Sequence, residues 1–258
     1  MIRRTLVFAA TATALAFLVL PVVAIFARVP PGRLFAQLGD GAVVDAVRVS
    51  AETSVAAQAL VLLLGTPAAA VLARRFAGRG LLVGLVELPL VLPPAVAGIG
   101  LFAAFGRFGL LHTPIPFTKL AVVLAVAFVS GPLYVRAAIV AFEGVDASVV
   151  AASRTLGAGP TRTFFRVVLP LARTGLAAGA ALALARGLGE FGATIMFAGC
   201  LRGVTETLPV AVYAEFNLDF DTALAISALL VALSAALLLA LKWRPSLSTS
   251  RFRFAASS

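Results

Sequence analysis

Long apolar segments, separated by short polar ones, occupy most of the chain. A helix needs about 20 mainly apolar residues to cross the hydrocarbon core of a bilayer, and several segments reach that length. They predict about six transmembrane helices, over Thr5–Ala27, Val47–Ala73, Leu81–Phe105, Leu120–Phe142, Thr174–Ala198 and Thr222–Leu241. Six spans place both termini on the same side. The expected fold class is therefore an all-α polytopic membrane protein.

The same pattern predicts how the chain is divided. Residues 1–46 hold the first transmembrane helix and an external loop, and residues 47–241 form a transmembrane core with a basic loop over 143–173. Residues 242–258 form a cytoplasmic tail, rich in Ser and Arg, that we expect to be disordered. The first apolar segment is longer than a typical signal-peptide core and more spans follow, so we interpret it as an uncleaved helix.

Composition and charge sharpen this interpretation. The chain is 61% hydrophobic and 12% charged, which excludes a soluble domain. A net charge of +10 raises nucleic-acid binding as an alternative. With the N-terminus inside, however, most Lys and Arg residues fall on the cytoplasmic side, as the positive-inside rule requires. The charge therefore indicates orientation in an inner membrane, with both termini cytoplasmic and no nucleic-acid partner.

The basic loop has the signals of a helix-turn-helix elbow. Asp146 can cap a helix over Ala147–Leu156, and Gly157 suits the left-handed residue that ends it. Pro160 suits the first turn of a second helix, running to about Val168. Two interpretations are open: an elbow that docks in a groove of a soluble partner, or a surface loop held to lipid headgroups by its arginines. We favour docking.

The spacing within this loop resembles the EAA loop of bacterial ABC importer permeases, whose pattern is E-A-A-x3-G-x9-I-x-L-P. Gly157, Leu169 and Pro170 match it and Val167 matches conservatively, whereas Ala151 stands where the family has Glu. The resemblance implies that a cytoplasmic ABC ATPase subunit docks here. The residues expected to form this ATPase-coupling loop are Ala151, Ala152, Ser153, Gly157, Leu169 and Pro170.

A second resemblance lies at the end of the fifth span. The segment LGEFGATIMFAG (Leu188–Gly199) is similar to molybdate permeases of the sulfate/molybdate family. The segment LPLVLPPAVAG (Leu88–Gly98) and the T-x-T-L-P motif at Thr205–Pro209 continue the likeness. Cys200 departs from the usual Asn. The resemblance implies a type-1 ABC importer transmembrane domain that works as a homodimer in membrane lipid and receives molybdate or tungstate from a periplasmic oxyanion-binding protein.

No energy-coupling or metal chemistry is expected within this chain. A P-loop needs Gly-Lys-Ser/Thr, and the only two lysines, Lys119 and Lys242, lie in no such motif. We therefore expect a transport subunit that is not an enzyme and carries no cofactor, with ATP and Mg bound by the partner ATPase. The G-x-G-x-x-G match at Gly187–Gly192 lacks a βαβ unit. His112 has no second ligand at metal-binding spacing, so no metal site is expected.

Two features of the fifth span leave alternatives open. Charges within a span tend to face a partner or a polar route, so Arg186 and Glu190 either pair with each other or line the substrate pathway. The pathway or gate candidates are Arg186, Glu190, Phe191, Gly192 and Thr194. Small residues recur every four positions and allow close helix packing, either at a dimer seam or within the subunit; they are Gly175, Gly179, Ala183 and Gly187.

The third span carries three prolines that can kink it: Pro89, Pro93 and Pro94. They favour a bent packing helix over a hinge that borders a cavity. Other functions also remain open, namely a sulfate or thiosulfate ABC permease and a stand-alone secondary transporter or channel. The latter predicts coupling charges and inverted repeats, but charge within the spans is sparse and no such repeat is found.

Overall fold

The computed structural model describes residues 2–29, 32 and 39–242. This part of the chain is helical and contains no strand. Its helices are α1 (Ile2–Arg28), α2 (Gly41–Leu72), α3 (Arg79–Val91), α4 (Pro94–Phe105), α5 (Lys119–Glu143), α6 (Ala147–Thr155), α7 (Pro160–Thr163), α8 (Leu169–Leu188), α9 (Gly192–Ala198), α10 (Leu208–Phe216) and α11 (Phe220–Lys242). Of the tail predicted over residues 242–258, Lys242 ends α11, and the disorder expected of the rest lies outside the described residues.

The transmembrane helices predicted from hydropathy are present. Among the described residues, five helices are long and apolar enough to cross a membrane, and the bent pair α3–α4 supplies a sixth span if its halves count as one. The five are Leu6–Arg28, Gly41–Leu72, Lys119–Glu143, Pro160–Leu188 and Phe220–Leu237. The prediction of an all-α polytopic fold with about six spans is therefore confirmed.

The third span is broken rather than merely kinked. The chain bends by 113° between α3 and α4, whereas the hydropathy pattern predicts a single span over Leu81–Phe105. Leu92 and Pro93 each precede a proline, and both have extended backbone, with ψ of 135° and 132°. The ring of a proline disfavours helical geometry in the residue before it. Two prolines in succession therefore stop the first half-helix and start the second in a new direction.

The fifth span also departs from the prediction, which ran without interruption over Thr174–Ala198. Helix α8 ends at Leu188, and α9 begins only at Gly192. Glycine in a helix interior costs about 1 kcal/mol relative to alanine, and Gly187, Gly189 and Gly192 lie close together here. Arg186 and Glu190 interrupt the apolar sequence only briefly, so hydropathy averaged over a span-length window runs across the break and does not reveal it.

Two further boundaries differ from the prediction. Helix α2 begins at Gly41, before the expected Val47, because Asp40 caps it by accepting a hydrogen bond from the Ala42 N–H at 2.7 Å. The second arm of the elbow does not stop near Val168. A π-helical turn over Phe164–Val168 instead carries α7 directly into α8, so the elbow and the fifth span form one continuous helical rod.

Helix α5 is the centre of the bundle. Helices α2 and α8 pack along it, and α9 and α3 contact it near its two ends. Tyr134 of α5 is buried and its hydroxyl lies 2.5 Å from Thr66 Oγ1 of α2. Helices α10 and α11 pack on the start of α2 through Leu208, Ile226 and Val43. Helix α1 contacts α11 and is otherwise exposed, as suits a helix that faces lipid.

The two ends of the bundle differ in charge. We call the end that holds the elbow the basic face, and an ion pair between Arg79 and Glu143 links α3 to α5 there. Its arginines are Arg74, Arg75, Arg79, Arg154, Arg162, Arg166 and Arg173. At the opposite face, Lys119 at the start of α5 pairs with Glu52 of α2 at 2.6 Å.

Candidate functional site

The elbow, residues 147–168, is shaped by short-range interactions. The Asp146 carboxylate caps α6 by accepting a hydrogen bond from the Ser148 N–H at 2.8 Å, and hydrogen bonds from Ser148 hold the pKa of Asp146 below its usual range. Gly157 has a φ of +83°, a left-handed conformation that suits glycine. Pro160 follows in the first turn of α7. The chain therefore reverses tightly between two helical arms.

A pair of hydroxyl groups joins the two arms of the elbow. Ser153 Oγ lies 3.1 Å from Thr163 Oγ1, which is buried, and 2.8 Å from the Val150 carbonyl oxygen. Ala151 and Ala152 are exposed on α6, and Leu156 at its end is 88% exposed. The two arms of the elbow are thus fixed to each other, and the elbow exposes small side chains and one leucine. Such a surface suits insertion into a groove.

The junction of the elbow with α8 contains Leu169 and Pro170. Pro170 lacks an N–H, so it cannot donate to the carbonyl four residues earlier. The turn before it is π-helical, with the Leu169 N–H donating to the Phe164 carbonyl. Leu169 packs against the core, whereas Pro170 is exposed. The elbow is therefore joined to α8 by continuous helix and not by a loop.

The stripe of small residues on α8 faces α5 of the same chain. A Cβ added to Gly175 would lie 2.5 Å from Ala141 Cβ, and one added to Gly179 would lie 2.7 Å from Ala137 Cβ. At Gly187 the same atom would meet Val126 at 2.8 Å. Ala183 is fully buried in this contact region. Of the two roles considered for the stripe, the geometry provides close packing within the subunit.

The polar turn at the end of α8 is a paired and capped structure. Arg186 Nη1 lies 2.8 Å from Glu190 Oε2, and the side chain of Glu190 is 1% exposed while that of Arg186 is 36% exposed. The other carboxylate oxygen of Glu190 accepts a hydrogen bond from the Ala193 N–H at 2.8 Å. Glu190 therefore holds the end of α8 and the start of α9 together, and only Arg186 has access to the surroundings.

The two broken spans meet where they are broken. A Cβ on Gly192, at the start of α9, would lie 2.8 Å from Pro94 Cβ, at the start of α4. A Cβ on Gly98 would lie 2.7 Å from the Ala193 carbonyl oxygen. We call this contact of α4 with α9 the half-helix crossing. Small residues on both helices bring the two backbones together there, which links the third span to the fifth.

Two other pathway candidates flank this crossing. The ring of Phe191 lies 5.2 Å from that of Tyr213 in α10, centroid to centroid. Thr194 is fully buried, and its hydroxyl has no hydrogen-bond partner among the described residues. A buried hydroxyl without a partner costs free energy. The candidates from Arg186 to Thr194 therefore form one contiguous region in which a salt bridge, a cap and an unsatisfied hydroxyl lie at a helix break.

Two features of the structure are not predicted by the sequence. Arg136 of α5 and Glu87 of α3 approach to 3.6 Å; their sequence positions showed only that they were charges within spans. Glu206, on the opposite face between α9 and α10, is 8% exposed. Burial raises the pKa of its carboxyl, and the nearby Glu215 carboxylate raises it further. The T-x-T-L-P motif contains this residue, but its spacing gives no sign of burial.

Comparisons with known proteins agree with this architecture. Residues 62–243 match the family described as "Binding-protein-dependent transport system inner membrane component". The chain is 44% identical over 246 residues to the molybdenum transport system permease protein ModB of Mycobacterium bovis, covering 90% of this chain and 91% of that protein. The protein of the same name from Escherichia coli K12 is 46% identical over 146 residues, which cover 54% of this chain and 64% of that protein.

Solved structures show the same fold at lower identity. A chain of the MetNI methionine ABC transporter in an inward-facing conformation superposes with a TM-score of 0.63 and 19% identity, covering 78% of this chain and 93% of that chain. A bacterial ABC transporter involved in the import of alginate gives a TM-score of 0.62 and 16% identity, with 96% and 97% covered. The fold is therefore that of ABC importer transmembrane domains.

Proposed function

The chain belongs to the family of binding-protein-dependent transport system inner membrane components, and we propose on that basis that it is the permease subunit of an ATP-driven importer of molybdate or tungstate. The identity with molybdenum permeases extends over nearly the whole chain. The motifs that resembled molybdate permeases, at the end of α8 and in α3–α4, are also the segments that form the half-helix crossing. Nothing in the comparisons favours sulfate over molybdate.

The observation that carries the proposal is the elbow. A cytoplasmic ATPase needs a rigid, exposed element on which to act. The elbow meets this need because α6 is capped, its arms are pinned at Ser153 and Thr163, and its second arm continues into α8. Ala151 replaces the Glu of the family pattern, and the exposed Ala151 and Ala152 still provide the small surface that insertion requires.

The partners follow from this role. Two copies of the chain enclose the pathway in the inner membrane, and an ABC ATPase subunit binds each elbow at the basic face, which is the cytoplasmic face. Both termini then lie in the cytoplasm. ATP and Mg are bound by the ATPase, since this chain offers no phosphate-binding loop. A periplasmic oxyanion-binding protein delivers the substrate to the opposite face.

The half-helix crossing is the proposed gate. When ATP binding draws the two elbows together, α8 moves as a rod and pulls on α9 through Glu190, which holds both helices. Arg186 is the partly exposed member of its ion pair with Glu190, so the N–H groups of its guanidinium that Glu190 does not use can donate hydrogen bonds to a passing oxyanion. Phe191, Gly192 and Thr194 form the narrow part of the route. A weak set of contacts suits transport, because tight binding would slow release.

Uptake of labelled molybdate into proteoliposomes tests the proposal. The vesicles contain this chain with its cognate ATPase and binding protein, and excess sulfate is added as competitor. We expect uptake that requires ATP, resists sulfate and is reduced by tungstate. Uptake abolished by sulfate would assign the protein to sulfate transport instead, and uptake without ATP would overturn the ABC mechanism.

A further inference from the structure

A cavity of about 350 Å³ lies at the basic face, beside the elbow. It opens between the end of α2, the end of α5, helix α6 and the π-helical turn. Its walls are apolar where they face the bundle, at Ala73, Phe142 and Val168, and basic at Arg74 and Arg154. The cavity therefore combines a hydrophobic interior with two guanidinium groups, one from the end of a transmembrane helix and one from the elbow.

The two arginines lack a counter-charge. Neither guanidinium group makes an ion pair or a hydrogen bond within the part of the chain that the structure describes. Both carboxylates at this face are engaged elsewhere, because Glu143 pairs with Arg79 and Asp146 caps α6. Two cations that line one cavity and have no ion-pair partner among the described residues repel each other. An anion between them would relieve that repulsion.

We propose that this cavity binds the headgroup phosphate of an anionic phospholipid from the membrane leaflet at the basic face. Guanidinium groups match phosphate oxygens in charge and in hydrogen-bond geometry. Basic pockets between transmembrane helices at the cytoplasmic side are suited to such headgroups. The cavity is much larger than one tetrahedral oxyanion, and its apolar walls fit the glycerol and the first acyl carbons rather than a free ion.

Such a lipid would connect α2 to the elbow. Arg74 follows the end of α2 and Arg154 lies on α6, so one phosphate held by both would brace the elbow against the transmembrane bundle. The consequence for ATPase coupling rests on the proposed function. The binding itself does not, because it can be measured on the chain alone, without ATPase or substrate.

The test compares retention of phosphatidylglycerol by the purified chain in detergent, measured by native mass spectrometry. The variants are Arg74→Gln with Arg154→Gln, and Arg75→Gln as a control that removes one charge from an exposed neighbour outside the cavity. We expect the native chain and the control to retain the lipid equally. The double variant should bind about a hundredfold more weakly, since each of the two lost charge-assisted hydrogen bonds weakens binding by roughly tenfold.

Three results would overturn the proposal. Equal retention by all variants would show that the arginines do not hold the lipid. Equal retention of phosphatidylcholine would show that charge plays no part. Displacement of phosphatidylglycerol by millimolar phosphate or molybdate would show a site for a free oxyanion. Because exposed arginines are replaced, gel filtration should show unchanged folding. Thermal stabilisation of the native chain by phosphatidylglycerol, but not by phosphatidylcholine, gives a second readout that needs no variant.

Discussion

The elbow and the half-helix crossing lie at the two ends of α8 and are built in opposite ways. In the elbow, each structural feature is local: a carboxylate caps α6, a left-handed glycine ends it, and Ser153 bonds Thr163. At the crossing, the contacts join residues far apart in the sequence, such as Gly98 with Ala193. The elbow leaves small side chains exposed, whereas the crossing buries a carboxylate and an unpartnered hydroxyl.

This difference suggests that the two ends of α8 have different roles, with the elbow as a rigid docking element and the half-helix crossing as a movable contact. A part that receives force from another protein benefits from local bonds, because its shape then survives when the bundle around it moves. A part that opens and closes benefits from contacts between separate helices, because these can be broken without unfolding either helix. An unsatisfied buried hydroxyl is a cost, and such costs concentrate where function rather than stability sets the structure.

The largest effect is expected at the elbow, from Gly157→Pro. Proline fixes φ near −65°, which is incompatible with the φ of +83° found here. It also removes the hydrogen bond from the Gly157 N–H to the Arg154 carbonyl. The turn should be lost while the bundle remains folded. Co-purification measures whether the elbow still binds the ATPase, and we expect no ATPase to co-purify with the Gly157→Pro variant.

Gly159→Pro is the matched control for this experiment. Gly159 has a φ of −65° and open space around its Cβ position, so its own backbone geometry matches that of proline. This control should co-purify with the ATPase as the native chain does. If the ATPase still co-purifies with Gly157→Pro, the elbow is not part of the docking surface. If co-purification is lost with both variants, the loop tolerates proline at neither position.

At the crossing, Glu190→Ala should give the largest loss of stability. The substitution removes the partner of Arg186 and the cap of α9 together. Breaking a buried pair costs about 3–5 kcal/mol, and the partial exposure of Arg186 favours the lower end of that range. Thermal unfolding in detergent measures it. Glu190→Gln keeps an oxygen that can accept from the Ala193 N–H, so its melting temperature should lie between those of the native chain and Glu190→Ala. A melting temperature unchanged in Glu190→Ala would mean that the pair does not hold the break together.

Because the backbones are in close contact at the crossing, two alanine substitutions on α4 should change the stability of the chain in opposite directions. Gly98→Ala places a Cβ 2.7 Å from the Ala193 carbonyl oxygen, and such overpacking costs about 1–3 kcal/mol. Gly100→Ala meets nothing within 4 Å, so it should stabilise the helix by up to about 1 kcal/mol. The two melting temperatures check this. Equal shifts would show that α4 and α9 do not approach closely.

Local signals made the elbow predictable, whereas the crossing required the fold. Asp146, Gly157 and Pro160 act on their immediate neighbours, so their types and spacing are enough to predict two arms and a turn. The pair Pro93–Pro94 predicts a bend, but the angle depends on what packs against α4. The break after Leu188 is not predicted, because long apolar stretches on both sides of Arg186 and Glu190 give the average hydropathy of a single span. The sequence also does not show which helix packs against the small-residue stripe of α8. A helix face of small residues can pack closely against any neighbouring helix, so tertiary packing decides the partner.

The smallest effects give the sharpest contrast between the two regions, because two similar changes should act in opposite directions. Ser153→Ala removes the hydroxyl that joins the arms of the elbow and should destabilise the chain by about 1 kcal/mol. Thr194→Val replaces a buried hydroxyl that has no partner among the described residues. The apolar replacement has a similar shape and removes the cost of an unsatisfied group, so it should stabilise by about 1 kcal/mol.

Transport then separates structure from function at Thr194. If the hydroxyl contributes to the gate, Thr194→Val raises the melting temperature and lowers ATP-driven molybdate uptake in the same preparation. Ser153→Ala should lower both in parallel, because its only route to transport is through the shape of the elbow. A Thr194→Val variant that is more stable and equally active would remove Thr194 from the pathway. A less stable one would show that its hydroxyl is satisfied in the membrane, and that the crossing is as well bonded as the elbow.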